Sequence, residues 1–227
     1  MSDAVTAEPV LAGEGLVEAR RLHWRERAGE RTLLRDGRRW TLWTSAVLFA
    51  FGAPAAAVLA LDLWLFPVAL ILVAHAFFIC RLQAGRAVTS IVPLASPGER
   101  DDAPAERVAL GLLGDLLDNR ERELMHQTGL AMQKGRLGVW LLGQRGALLI
   151  RPGGRRIFSF CVRVAESDDL PGGDRVAHLL LALREDEEGF ATVANLGFSG
   201  AVWRCRRHMA PRQLRALEVA RAAGIPG

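Results

Sequence analysis

With 227 residues the chain has room for one large domain, or for a modest domain with attached segments. A pI near 9.7 would suit nucleic acid, but residues 20–39 carry eight arginines against Glu26, Glu30 and Asp36, whereas residues 87–227 carry 19 basic against 17 acidic side chains. Nucleic acid is therefore not the expected partner, and three cysteines (Cys80, Cys161, Cys205) without a CxxC pair exclude a disulfide-stapled secreted domain and fit a reduced, cytosolic setting.

All basic residues but Lys134 are arginines and tyrosine is absent, a bias expected of a GC-rich, bacterial genome. Residues 1–14 are small and polar and are expected to be disordered. Residues 15–35, GLVEARRLHWRERAGERTLLR, predict a basic helix beside the membrane, either solvated or lying on the inner leaflet with Leu22, Trp24 and Leu33 toward lipid. The first 39 residues are polar and the apolar runs that follow exceed an h-region, so a cleaved signal peptide is not expected.

No charge occurs from Trp40 to Leu61, nor from Leu63 to Cys80. One helix over that stretch would be about 60 Å long, twice the roughly 30 Å hydrocarbon core, so the chain must turn. A turn at Asp62 gives spans 40–61 and 63–82, with Trp40, Trp43 and Trp64 at interfacial positions and Pro67 in the first turn of the second span. A turn at Pro54 would leave the first span too short and place Asp62 inside the bilayer at roughly 3 kcal/mol. Gly52, Ala56 and Ala60, four residues apart, predict a face for close helix approach, within the hairpin or to a second copy. His75 in the second span is expected to stay neutral and bond a neighbouring helix near Thr44 or Ser45. Arg31, Arg35, Arg38 and Arg39 before the spans, and Arg81 and Arg86 after them, predict both termini in the cytoplasm of a cell (inner) membrane protein.

Residues 83–103, with Pro93 and Pro97, read as a linker, and 104–227 as a cytosolic domain. Leu112, Leu113, Leu116 and Leu117 repeat at helical spacing from Pro104, and a short helix is expected over 119–127. RLGVWLLGQRGALLIRPGGRRIFSFCVRV, cut at Gly143–Gly146 and Pro152–Gly154, predicts a three-stranded meander. Asp174 is the expected N-cap of a helix presenting Val176, Leu179, Leu180 and Leu183. FATVAN and AVWRCRR read as further strands, and 211–223 as a last helix. The expected fold class is α+β: a two-helix transmembrane hairpin, then a small domain with a mainly antiparallel sheet and about three helices.

Phosphate loops, dinucleotide fingerprints and paired Cys/His metal spacings are missing from the sequence, so no cofactor and no metal site is expected. Cys161, His178 and Asn195 follow the chain order of a cysteine-protease triad, which makes Cys161 and His178 the catalytic candidates. Arg151, Arg155, Arg156, Arg204, Arg206 and Arg207 are candidates for an anion-binding surface facing lipid headgroups, balanced by Asp168, Asp169 and Glu185 to Glu188.

AERVALGLLGDLL followed by LGVWLLGQRGALLIRPGGRR resembles the nuclease-related domain (NERD) of the PD-(D/E)xK nuclease superfamily, in which an acidic helix precedes a strand, a glycine turn and a second strand. In that family the helix supplies a Glu, the first strand an Asp, and the second strand a Glu and a Lys for metal-assisted phosphodiester cleavage. Only Glu106 matches here, because RLGVWLLG has no acid and IRPGG stands where the Glu and Lys belong. The resemblance, over roughly 50 residues, thus implies a shared fold without the Mg²⁺ cage. The function expected is that of a binding or scaffolding module for a protein partner at the lipid bilayer, the alternative being a membrane-tethered cysteine hydrolase or degenerate nuclease.

Overall fold

The computed structural model describes residues 16–22, 24–95, 104–162 and 170–224; the expected disordered start, residues 96–103 of the expected linker, and Asp168 and Asp169 lie outside them. In chain order the helices are α1 (Val17–Arg21), α2 (Glu30–Leu61), α3 (Phe66–Arg86), α4 (Pro104–Asp115), α5 (Asn119–Thr128), α6 (Gly172–Glu185), α7 (Glu187–Val193), α8 (Val202–Arg206) and α9 (Pro211–Ala223). The strands β1 (Ala131–Lys134), β2 (Val139–Gly143), β3 (Gly146–Ile150), β4 (Arg156–Cys161) and β5 (Asn195–Ala201) form one antiparallel sheet in sequence order.

The α+β class and the central meander are as expected, but the alternation of a half-exposed sheet is not. Every residue of β2 and β3 is buried, because helices cover both faces and neither face has use for polar side chains. Register puts Trp140, Leu149 and Phe158 on one face and Leu141, Leu148 and Phe198 on the other. The first face packs on α4, α6 and α7 together with Leu33 of α2. The second packs on α9, on Val202 and Cys205 of α8, and on Ala84 of α3 with Ala87 just beyond it.

Several sequence expectations need correction. FATVAN is mostly helix: Asp186 caps α7 by accepting from the Gly189 N–H at 2.8 Å, and the strand starts only at Asn195. In AVWRCRR, Val202 and Cys205 are buried three apart while Trp203 is exposed, a helical period that makes α8. With α4, α5, α6 and α9, the described part of the domain therefore holds six helices, not about three. Asp174 lies in the first turn of α6, whose N-cap is Pro171; the orphan N–H groups of Gly172 and Gly173 donate instead to the Glu106 carboxylate, at 2.7 and 3.2 Å.

The described part of the linker is laced into the core. Ala84, Ala87, Ile91 and Leu94 are buried, the hydroxyls of Ser90 and Ser159 meet at 2.8 Å, and the Leu94 N–H donates to the Gly129 carbonyl at 2.8 Å. Gly129 has φ +72°, closing α5 in the left-handed region, and a Cβ there would meet the Leu94 backbone.

The basic N-terminal stretch is not one helix either. Residues 24–29 are non-helical, and α2 then begins at Glu30 and continues unbroken for 32 residues through Trp40 and Pro54. Leu33 is 2% exposed against the sheet rather than directed to lipid. The boundary expected at residue 39 thus falls inside a continuous helix. α2 ends at Leu61, and Asp62 accepts from the Trp64 N–H at 2.9 Å, capping a 3-10 turn (Leu63–Leu65) that leads into α3.

Helices α2 and α3 are both long and apolar enough to cross a membrane. They pack on each other through Val47 and Ala55 of α2 and Ala69 and Ala76 of α3. Gly52, Ala56 and Ala60 are exposed, so the small residues expected at this seam lie on another side of α2. His75 Nδ1 donates to the Ile71 carbonyl of its own helix, 2.8 Å away, and the ring stacks on Phe51 rather than bonding Thr44 or Ser45.

Candidate functional site

The six candidate arginines have different partners. Arg204 donates to the Thr44 hydroxyl at 3.2 Å and to the Cys80 carbonyl at 3.3 Å, with its guanidinium 5.4 Å from the Phe198 ring centre. It therefore bolts α8 to both long helices. Arg156 donates to the Thr41 hydroxyl and lies over Gly37, where a Cβ would collide with its guanidinium; burial lowers its pKa from the ordinary arginine value. Thr41 and Thr44 donate back to the Gly37 and Trp40 carbonyls, at 3.0 and 2.9 Å, which leaves their oxygens free to accept from the arginines. Trp40, expected in an aromatic belt, packs 5.6 Å from Phe198.

The other four arginines make other contacts. Arg151 pairs with Glu30 and also donates to the Leu137 carbonyl, Arg155 is exposed, and Arg206 pairs with Glu218 at 3.0 Å. Arg207 lies 5.8 Å over the Trp203 ring. Beside it, between α3 and α8, is a pocket of about 120 Å³ lined by Phe77, Arg81, Trp203, Arg204, Arg207 and His208, with Cys80 and Ala84 also in its walls. Arg81 belongs to this basic pocket but sits far from Arg204 and Arg207 in sequence, and His208, next to Arg207, is not an arginine, so counting arginines by segment does not group them.

A larger cleft, about 370 Å³, opens between the base of α2 and the α7–β5 edge, within the range of small-ligand sites. Arg35, Asp36, Arg25, Thr192 and Asn195 give it a polar wall of both signs, and Phe160 and Leu196 an apolar one. Arg25 closes one end by donating to the Thr192 carbonyl and to Asn195 Oδ1, each at 3.1 Å. The acidic run behind it is a structural hub rather than a solvated balance to arginines. Asp186 accepts from Arg27 at 2.7 Å and from the Leu16 N–H at 3.3 Å, and Glu187 accepts from Trp140 Nε1 at 2.6 Å and the Arg136 N–H at 2.7 Å.

Of the proposed triad, Cys161 and Asn195 are register partners across β4 and β5, but the Asn195 amide oxygen is held by Arg25. His178 is exposed on α6, and no hydrogen bond joins it to Cys161. Burial raises the Cys161 thiol pKa from the ordinary cysteine value, which disfavours the nucleophilic thiolate. Glu106, the residue matching the nuclease pattern, is engaged at the start of α6, and β2 and β3 carry no acid or lysine. Among the described residues no three His, Cys, Asp or Glu side chains cluster closely enough to hold a metal ion. Comparison with known proteins yields no match to a family model, a curated protein or a solved structure.

Proposed function

We propose that the chain is a two-pass protein of the cell (inner) membrane with both termini and the α+β domain in the cytoplasm, and that the domain is a binding or scaffolding module held flush against the bilayer. The supporting observation is the exposure along α2 and α3. In the most apolar 18 residues of each, only 11% are buried, and Phe49, Ile71, Phe77 and Phe78 are each more than half exposed. A buried helical hairpin of a soluble protein would hide those groups; a bilayer solvates them.

The dimensions agree. From Thr44, where Arg204 grips α2, to Asp62 is 18 residue steps, about 27 Å at roughly 1.5 Å each, close to the roughly 30 Å hydrocarbon thickness. The domain face carrying Arg204 then meets the headgroups. Arg31, Arg35, Arg38 and Arg39 on one side and Arg81 and Arg86 on the other, with no arginine at the Asp62 turn, orient it toward the cytoplasm. The cleft beside Asp36 faces a protein partner below the membrane plane, and the outward stripe of Gly52, Ala56 and Ala60 suits a second copy within it.

Alkaline carbonate extraction combined with protease accessibility tests this. The chain should stay with the membrane pellet, and its C-terminal domain should be digested in inverted vesicles but protected in spheroplasts. Digestion from the outside would overturn the topology. Catalysis is the competing function, and phosphodiesterase or thiol-dependent hydrolase activity of the full chain would favour it.

A further inference from the structure

We propose that the pocket between α3 and α8 binds the phosphate of an anionic phospholipid from the cytoplasmic leaflet; the inference rests on the two-pass membrane arrangement. Arg81, Arg204, Arg207 and His208 line it and no acidic side chain does, so its charge is complementary to a phosphate. Its volume of about 120 Å³ is well below the roughly 300 Å³ at which sites for whole small molecules begin, and it suits a single headgroup group.

The pocket's height and its upper wall select a lipid over a free anion. Arg204 is fixed by donating to Thr44 and to the Cys80 carbonyl, which places the pocket where the apolar part of both helices begins. Two of its five N–H donors are used there, so others remain for a ligand. Arg207 is laid over the Trp203 ring, and Trp203, 62% exposed, is an interfacial side chain at the same level. Phe77 stands one helical turn above Arg81 on the bilayer side and is 59% exposed, so a phosphate held by Arg81 and Arg207 would lay its first acyl carbons along Phe77.

The test is native mass spectrometry of the full chain in detergent micelles, titrated with phosphatidylglycerol, phosphatidylcholine or inorganic phosphate. Phosphatidylglycerol should bind more tightly than phosphatidylcholine, and millimolar inorganic phosphate should not displace it. Arg81→Gln and Arg207→Gln should each weaken phosphatidylglycerol roughly fivefold, as loss of one basic group beside a headgroup does. Arg155→Gln, an equal loss of charge outside the pocket lining, should change it less than twofold. Both pocket arginines are exposed, so circular dichroism should report an unchanged fold.

Equal binding of the two lipids, displacement by inorganic phosphate, or an Arg155→Gln effect as large as that of Arg207→Gln would each overturn the pocket. Alkaline carbonate extraction separates this from the membrane arrangement. A chain that stays in the pellet yet shows no lipid preference refutes the pocket alone, whereas a chain washed from the pellet refutes both.

Discussion

The base and the shaft of the α2–α3 pair belong to the same two continuous helices but obey opposite rules. At the base, Leu33 is 2% exposed, Trp40 packs on Phe198, and two threonine hydroxyls receive arginines from the sheet and α8. Along the shaft, from about residue 45 to residue 79, Phe49 is 75% exposed and burial is confined to a thin seam through Val47, Ala55, Ala69 and Ala76. A helix is thus not a unit of environment. The same rod is a core element of the α+β domain at one end and an exposed apolar element at the other, and the change of rule is sited by side chains that only the folded domain brings near.

The sharpest way to break that contrast is to truncate one apolar residue in each part. Leu33→Ala should destabilise the domain by about 3 kcal/mol, while Phe49→Ala should stay within about 0.5 kcal/mol, both read from chemical unfolding of the full chain in detergent. Similar costs would show that base and shaft share one environment. Next in size, Arg204→Met removes two hydrogen bonds and a ring contact and should cost about 2 kcal/mol, with faster amide exchange at the Thr44 and Cys80 level of the two helices.

Smaller still, Glu106→Gln weakens the cap on α6 and should cost about 1 kcal/mol, equally with and without Mg²⁺. A nuclease remnant would instead lose Mg²⁺-dependent cleavage. The smallest effect at neutral pH is that of Cys205, whose buried thiol has its pKa pushed up to about 12 from an ordinary 9.0. A pKa raised by folding contributes stability that is whole below pH 9 and lost as pH rises toward 12. Melting temperature should therefore fall across that window in the native chain, and less steeply in Cys205→Ala.

How far the sequence carried these features depended on whether each signal was local. Uncharged runs, a lone aspartate and glycine punctuation are read within a few residues, so the long helices, the turn at Asp62 and the central meander were legible. Burial from across the chain was not. Pro93 marks an interruption equally well in a linker and in a segment laced into the core, and distant partners, Gly129, Gln144, Ser159 and Gln213, decide for the second. Cys161, His178 and Asn195 looked collinear with a triad because chain order ignores that His178 is on the outward side of α6. Likewise, six arginines counted as one patch are divided by their partners. Two serve as bolts, because Thr41 and Thr44 come from a helix more than 100 residues away.

The contacts of the strap that precedes α2 also constrain the timing of biogenesis. Arg25 and Ala28 leave the ribosome early, yet their partner Thr192 follows 167 and 164 residues later. At roughly 5–20 residues per second that is a wait on the order of ten seconds, during which both apolar helices have already been synthesised. The strap is therefore a lock that closes late, and a nascent chain arrested before α7 would hold a finished pair of long helices with an unfastened N-terminus.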